Sequence, residues 1–73
     1  MDNHIDTRLG RRMQQLRKEN KINQNALAKE LDIARPAVTL LEQGKRKATA
    51  AELMRLARFF NLSVEELMDE SKM

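Results

Sequence analysis

Apolar residues recur at helical spacing along the whole chain. Ile5, Leu9, Met13 and Leu16 fall at i, i+4, i+8 and i+11, one face of a first helix. The polar run Arg17-Lys18-Glu19-Asn20-Lys21 ends that stripe. Asn23 supplies an N-cap for a second helix whose inner face is Leu27, Ala28 and Leu31. Ala28 is the small member of that face, suited to a close helix crossing that leaves no room for a longer side chain. A third helix is predicted from about Arg35 to Gln43, with Val38 and Leu41 inward. Pro36 is compatible with it only in the first turn, where its missing N–H had no helical partner. Gly44 ends it, as a residue able to take the left-handed conformation. Two capping boxes follow: Thr49 with Glu52 opens a fourth helix, and Ser63 with Glu66 opens a fifth. Leu53, Leu56, Ala57 and Phe60 form the inner stripe of the fourth; Leu62, Val64 and Leu67 serve the fifth. No run alternates as a half-buried strand would. The expectation is an all-α fold of five short helices around one core.

Composition narrows the chemistry. The 73 residues suffice for one domain over 1–73, with a core over about 5–69 and short polar termini. An apolar share of 41% against 34% charged residues still builds a small core. The absence of Cys excludes disulfides, thiolate zinc sites and Cys nucleophiles. One His excludes a His-based metal cage or a His pair, and His4 reads as solvated near a frayed terminus. Glu65 and Glu66 are neighbours on a helix and point apart, so they make no carboxylate pair. There is no Gly-rich phosphate loop. No enzyme, metal or cofactor is therefore expected. No apolar run is long enough to span a membrane. The start MDNHID is polar and acidic, unlike a secretory signal, so the expected location is the cytoplasm, at the nucleoid.

Charge changes the picture more. The net charge is +3, but residues 8–47 hold eleven Lys/Arg against four Asp/Glu, while residues 1–7 and 48–73 are both net acidic. Such a lopsided field suits a nucleic-acid-facing surface on the first two-thirds of the chain, against the alternative of a merely solvated charged coat.

Gln24 to Lys45 reads QNALAKELDIARPAVTLLEQGK. With Gln24, the Leu27-Ala28 pair, Leu31, Ile33, Val38, Leu41, Glu42 and Gly44, it resembles the helix-turn-helix of the lambda-repressor-like, or XRE, family. Arg17, in the Leu16-Arg17 pair closing the first helix, fits as well, and the resemblance runs from about Leu9 to Leu67. Two positions depart from the family. Asp32 stands where Gly is common at the turn, and Asp tolerates left-handed geometry better than most residues. Ala34 stands where Ser or Thr commonly caps the third helix, a loss of about 1 kcal/mol that leaves that N-terminus to water or a DNA phosphate.

The resemblance implies that the third helix enters the major groove of double-stranded DNA and reads bases with its N-terminal residues. The matching positions are Arg35, Pro36, Ala37, Thr39 and Leu40. A guanidinium at Arg35 is able to donate two bonds to guanine; the competing reading is a phosphate contact. Pro36, Ala37 and Leu40 suit thymine methyl groups, and Leu40 should point outward because Val38 and Leu41 already face in. Thr39 either touches DNA or bonds its own helix. Phosphate contacts are expected from Gln24 at the start of the second helix and from Gln43, Lys45, Arg46 and Lys47 after the third. Arg11 and Arg12 would add long-range attraction. About eight neutralised phosphates per dimer would give a salt slope near −7. Arg17 and Glu42 are implied to form an ion pair fixing the third helix on the first, with Arg17 aimed secondarily at the DNA backbone.

A homodimer is expected through the C-terminal third. Met54, Phe59, Phe60, Leu62, Met68 and Met73 give more apolar surface than a monomer needs, and with Phe60 in the core stripe Phe59 is left over. The interface is therefore placed on Phe59, Leu62 and Met68, against the alternative that Phe59 packs under the tail. Two-fold symmetry would set the recognition helices about 34 Å apart, suiting a palindromic site. The leading function is a dimeric, sequence-specific transcriptional repressor. The alternative is an antitoxin or adaptor whose main role is to hold a protein partner. Arg35 to Phe60 is also similar to a subgroup in which the repressor domain is fused to or paired with a zinc metallopeptidase; lacking H-E-x-x-H, this chain is not the peptidase, which is a candidate partner beside a toxin. Met68 to Met73 is short for a dedicated partner-binding segment, which favours DNA binding.

Overall fold

Each apolar stripe becomes a helix, and the stops between them share one geometry. The computed structural model describes residues 4–68, all helix and turn. The helices are α1 (His4–Glu19), α2 (Gln24–Leu31), α3 (Arg35–Glu42), α4 (Ala50–Phe59) and α5 (Val64–Leu67). Met73 and the His4 side chain lie outside the described residues.

Lys21, Asp32, Gly44 and Asn61 all take positive φ just past a helix end. In each case the next residue donates its N–H five residues back: Ile22 to Arg17, Ile33 to Ala28, Lys45 to Leu40 and Leu62 to Ala57. This is the Schellman arrangement, which satisfies carbonyls the helix itself leaves unpaired. In three of the four the donor, Ile22, Ile33 or Leu62, also packs on the core. After α3 the corresponding residue is Lys45, which is exposed.

The starts are as regular. Asn23 Oδ1 accepts from Ala26 N–H at 2.8 Å, and complete capping boxes join Thr49 to Glu52 and Ser63 to Glu66. Ala34, the N-cap of α3, makes no side-chain cap bond.

Leu9, Met13 and Leu16 of α1, Leu27, Ala28 and Leu31 of α2, Val38 and Leu41 of α3, Leu56 and Ala57 of α4 and Leu67 of α5 form the core. A fully buried Leu contributes about 2 kcal/mol through burial, so the short α5 is held mainly by Leu67. α3 packs against both α1 and α2, α4 against α2, and α5 against α4.

The contact between α1 and α3 is unusually close. A Cβ at Gly10 would lie 2.5 Å from the carbonyl oxygens of both Leu41 and Glu42. A Cβ at Gly44 would lie 2.8 Å from Thr7 Cα. Only residues without a side chain allow the end of α3 to lie this near α1.

Three expectations are corrected. Ile5 is not inward: α1 has already met the end of α3 at Thr7, and Ile5 runs past it, 58% exposed. Val64, in the first turn of α5, is exposed, while Leu62 and Leu67 turn inward. Phe59 is not a leftover: it is half-buried against the core beside Phe60, ring centroids 5.0 Å apart and edge to face. One of the two basic residues assigned to long-range attraction is also relocated: Arg12 is buried, while Arg11 is exposed.

Candidate nucleic-acid interface

The inner residues of α3, Val38 and Leu41, leave its other face free to point away from the core. Arg35, Pro36 and Leu40 are exposed, and Ala37 and Thr39 are half-buried. With Gln24, four of these residues (Arg35, Pro36, Thr39 and Leu40) line an open hollow of about 570 Å³ between the starts of α2 and α3. Leu40 is 42% exposed, as the helical pattern requires.

A chain of hydrogen bonds runs from α1 to this face. Arg17 Nε donates to Glu42 Oε2 at 2.6 Å and Nη2 to Oε1 at 3.1 Å. Arg17 Nη1 donates to the Ile22 carbonyl at 3.1 Å. The side chains of Arg17 and Glu42 are only 12% and 3% exposed, so this fork is nearly withdrawn from solvent. The expected ion pair is present, and Arg17 is turned into the protein rather than outward.

Gln24 carries the chain onward. A carboxylate only accepts, so the Gln24 amide turns its NH₂ to Glu42, donating to Oε1 at 3.1 Å. Its oxygen is thereby aimed at α3, where it accepts from Thr39 Oγ1 at 3.2 Å and from Arg35 Nε at 3.4 Å. Thr39 thus bonds across to α2. The two terminal nitrogens of Arg35 extend beyond the bond its Nε makes. Gln24 was legible as a phosphate candidate, but its place at the centre of this network was not, since it depends on three residues 11, 15 and 18 positions away.

The basic loop after α3 is not uniform. Gln43, Lys45 and Lys47 are exposed. Arg46 instead lays both terminal nitrogens on Glu52, each bond 3.0 Å. Glu52 is 5% exposed and also accepts from Thr49 N–H at 3.0 Å, so one carboxylate closes the capping box and grips the loop. Nothing in the sequence signals this pair, because a spacing of six matches no helical period and spans a turn. Burial alone would push the Glu52 carboxyl up; the bonds from Arg46 and Thr49 outweigh it, and the group sits below its ordinary value. The bond to Glu52 likewise holds Arg46 above its ordinary range.

A carboxyl lowered by folding stabilises above its unfolded pKa, and that contribution is lost as pH falls through the folded value. The stability difference between the protein and Glu52→Gln is therefore expected to be full above about pH 4.5 and to fade below it. Urea unfolding of both forms between neutral pH and about pH 3 checks this; a difference independent of pH would contradict it.

Phe59, Leu62 and Met68 are each half-buried against the core, and Met54 of α4 is exposed. Among the described residues no group of His, Asp or Glu is arranged to hold a metal, and no helix is long and apolar enough to cross a membrane.

Residues 13–67 match a family model described as HTH_3, helix-turn-helix. No curated protein matches the chain by sequence. The restriction-modification controller protein C.AhdI from Aeromonas hydrophila is 26% identical, with a TM-score of 0.76 over 84% of this chain and 92% of that one. An HTH_3 family transcriptional regulator from Vibrio cholerae is 19% identical, with a TM-score of 0.78 over 92% of this chain but 38% of that one. The DNA-binding domain of BldD is 22% identical, with a TM-score of 0.76 over 94% of this chain and all of that domain. The last two likenesses concern the fold alone.

Proposed function

Because the chain belongs to the HTH_3 helix-turn-helix family of DNA-binding transcription regulators, we propose that it is a dimeric repressor reading a palindromic operator with α3 in the major groove. The observation that carries this reading is the outward face of α3, held in place through Gln24, Glu42 and Arg17 and bordered by the exposed Lys45 and Lys47.

In this reading Arg35 bonds a guanine edge, while Pro36, Ala37 and Leu40 meet thymine methyl groups. Thr39 keeps its bond to Gln24 and touches a base or its sugar. Gln24, Gln43, Lys45 and Lys47 sit on phosphates at the two rims of the groove and set the register of the helix. Arg17 acts from behind, by fixing Glu42 and through it Gln24. Phe59, Leu62 and Met68 form the two-fold interface, whose symmetry the operator mirrors.

Selection of bound duplexes from a random pool tests this directly. The protein should enrich a palindrome. Arg35→Ala should weaken binding to it by about 1–3 kcal/mol, roughly 5- to 150-fold, and relax one position in each half-site. Binding that enriches no sequence would overturn the reading.

A further inference from the structure

The loop Lys45-Arg46-Lys47 offers three adjacent cations, yet the structure treats them differently. Arg46 is forked onto Glu52 by two bonds of 3.0 Å, whereas Lys45 and Lys47 are exposed and make no side-chain bond among the described residues. We propose that Glu52 sets the charge this loop presents to DNA, by holding Arg46 out of the interface and leaving Lys45 and Lys47 as its only phosphate contacts. The inference rests on the DNA-binding reading above.

A phosphate offers Arg46 the same two-oxygen geometry as Glu52, so the two compete for one fork. The competition is unequal. Glu52 is 5% exposed and is pinned at the start of α4 by Thr49 N–H, so it is unable to follow Arg46 toward solvent. Releasing Arg46 would strand a buried carboxylate, which is costly. A backbone phosphate loses only one of many cations when Arg46 stays away. The lysines face no such competitor. The effect falls on the sequence-independent part of binding, which grows with every phosphate neutralised. Base reading by α3 is untouched, so Glu52 lowers the affinity for specific and non-specific sites alike.

The test is the slope of log K against log salt for the full chain on a labelled duplex of random sequence. Lys45→Ala and Lys47→Ala should each make the slope shallower by about 0.9 per protomer. Arg46→Ala should leave it unchanged. Glu52→Gln keeps the capping-box acceptor, so the fold is retained, and it should steepen the slope by about 0.9 per protomer as Arg46 joins the interface. Glu65→Gln makes the same charge change at an exposed site of α5 and should do nothing. A slope shallower for Arg46→Ala by as much as for the lysine variants would overturn the proposal. So would a Glu52→Gln slope no steeper than that of Glu65→Gln. Because Arg46→Ala strands the Glu52 carboxylate, its fold is checked by circular dichroism, and the double variant Arg46→Ala/Glu52→Gln, which strands no charge, should share the wild-type slope. A wild-type protein whose binding ignores salt would instead overturn the DNA-binding reading itself.

Discussion

Glu42→Ala is expected to destabilise the protein by about 3–5 kcal/mol, because it removes one partner of a nearly buried ion pair. The Arg17 side chain is 12% exposed and directs two of its three nitrogens at Glu42. Without the carboxylate a guanidinium is left desolvated, with only the Ile22 carbonyl as acceptor. A domain of this length has a total stability of about 4–11 kcal/mol, so the variant should lose a large share of it. The loss also reaches the interface, since Gln24 loses the acceptor that orients its amide toward Thr39 and Arg35. Arg17→Met combined with Glu42→Leu should be closer to wild type than either single change, because neither charge is then stranded. Urea unfolding of the four forms checks the cycle. Single-variant losses under about 1 kcal/mol would mean that the pair behaves as an exposed one, against this account.

Gly10→Ala is the second large effect, and its sign runs against helix propensity. In an exposed helix the change should stabilise by about 1 kcal/mol. Here the new Cβ would stand 2.5 Å from two backbone carbonyl oxygens, those of Leu41 and Glu42. Backbone at the end of α3 has no rotamer with which to yield, so α1 and α3 must move apart. Overpacking of this kind costs about 1–3 kcal/mol, and separation of the helices also stretches the Arg17–Glu42 fork. The expected net loss is about 1–2 kcal/mol, accompanied by weaker DNA binding as α3 loses its support. Thermal and urea unfolding together read the effect. A variant more stable than wild type would show that the two helices tolerate a wider spacing.

These two sites also show what sequence reasoning reaches. The five helices were legible because stripes such as Leu27, Ala28 and Leu31 repeat at helical spacing and because Asn23, Thr49 and Ser63 are strong caps. Asp32 was expected to take the left-handed turn and does, at φ 58°. The Arg17–Glu42 pair came through resemblance, not through spacing. Periodicity reports direction around a helix but not whether anything lies opposite. Ile5 and Val64 fit their stripes and are nevertheless exposed. Arg12 sits next to Met13 in a basic run and is buried, which charge counting would not suggest. Gly10 left a usable sign, a lone glycine inside an otherwise good helix, where a close backbone approach is a standard reason for the residue. Arg46 and Glu52 left none, because a turn decides whether residues six apart meet.

At the interface, the outward residues of α3 were legible from the pattern and the family resemblance. Their mutual restraint was not. It requires the start of α2 to lie beside α3, so that one amide meets Glu42, Thr39 and Arg35 together.

Whether the α3 face and its bordering loop meet DNA is read residue by residue by amide-resolved NMR during titration with the selected operator duplex. The largest shifts are expected at residues 24–26, 35, 37–40 and 43–47, with smaller changes along α5. Shifts concentrated on α4 and α5, with α3 unmoved, would contradict this reading.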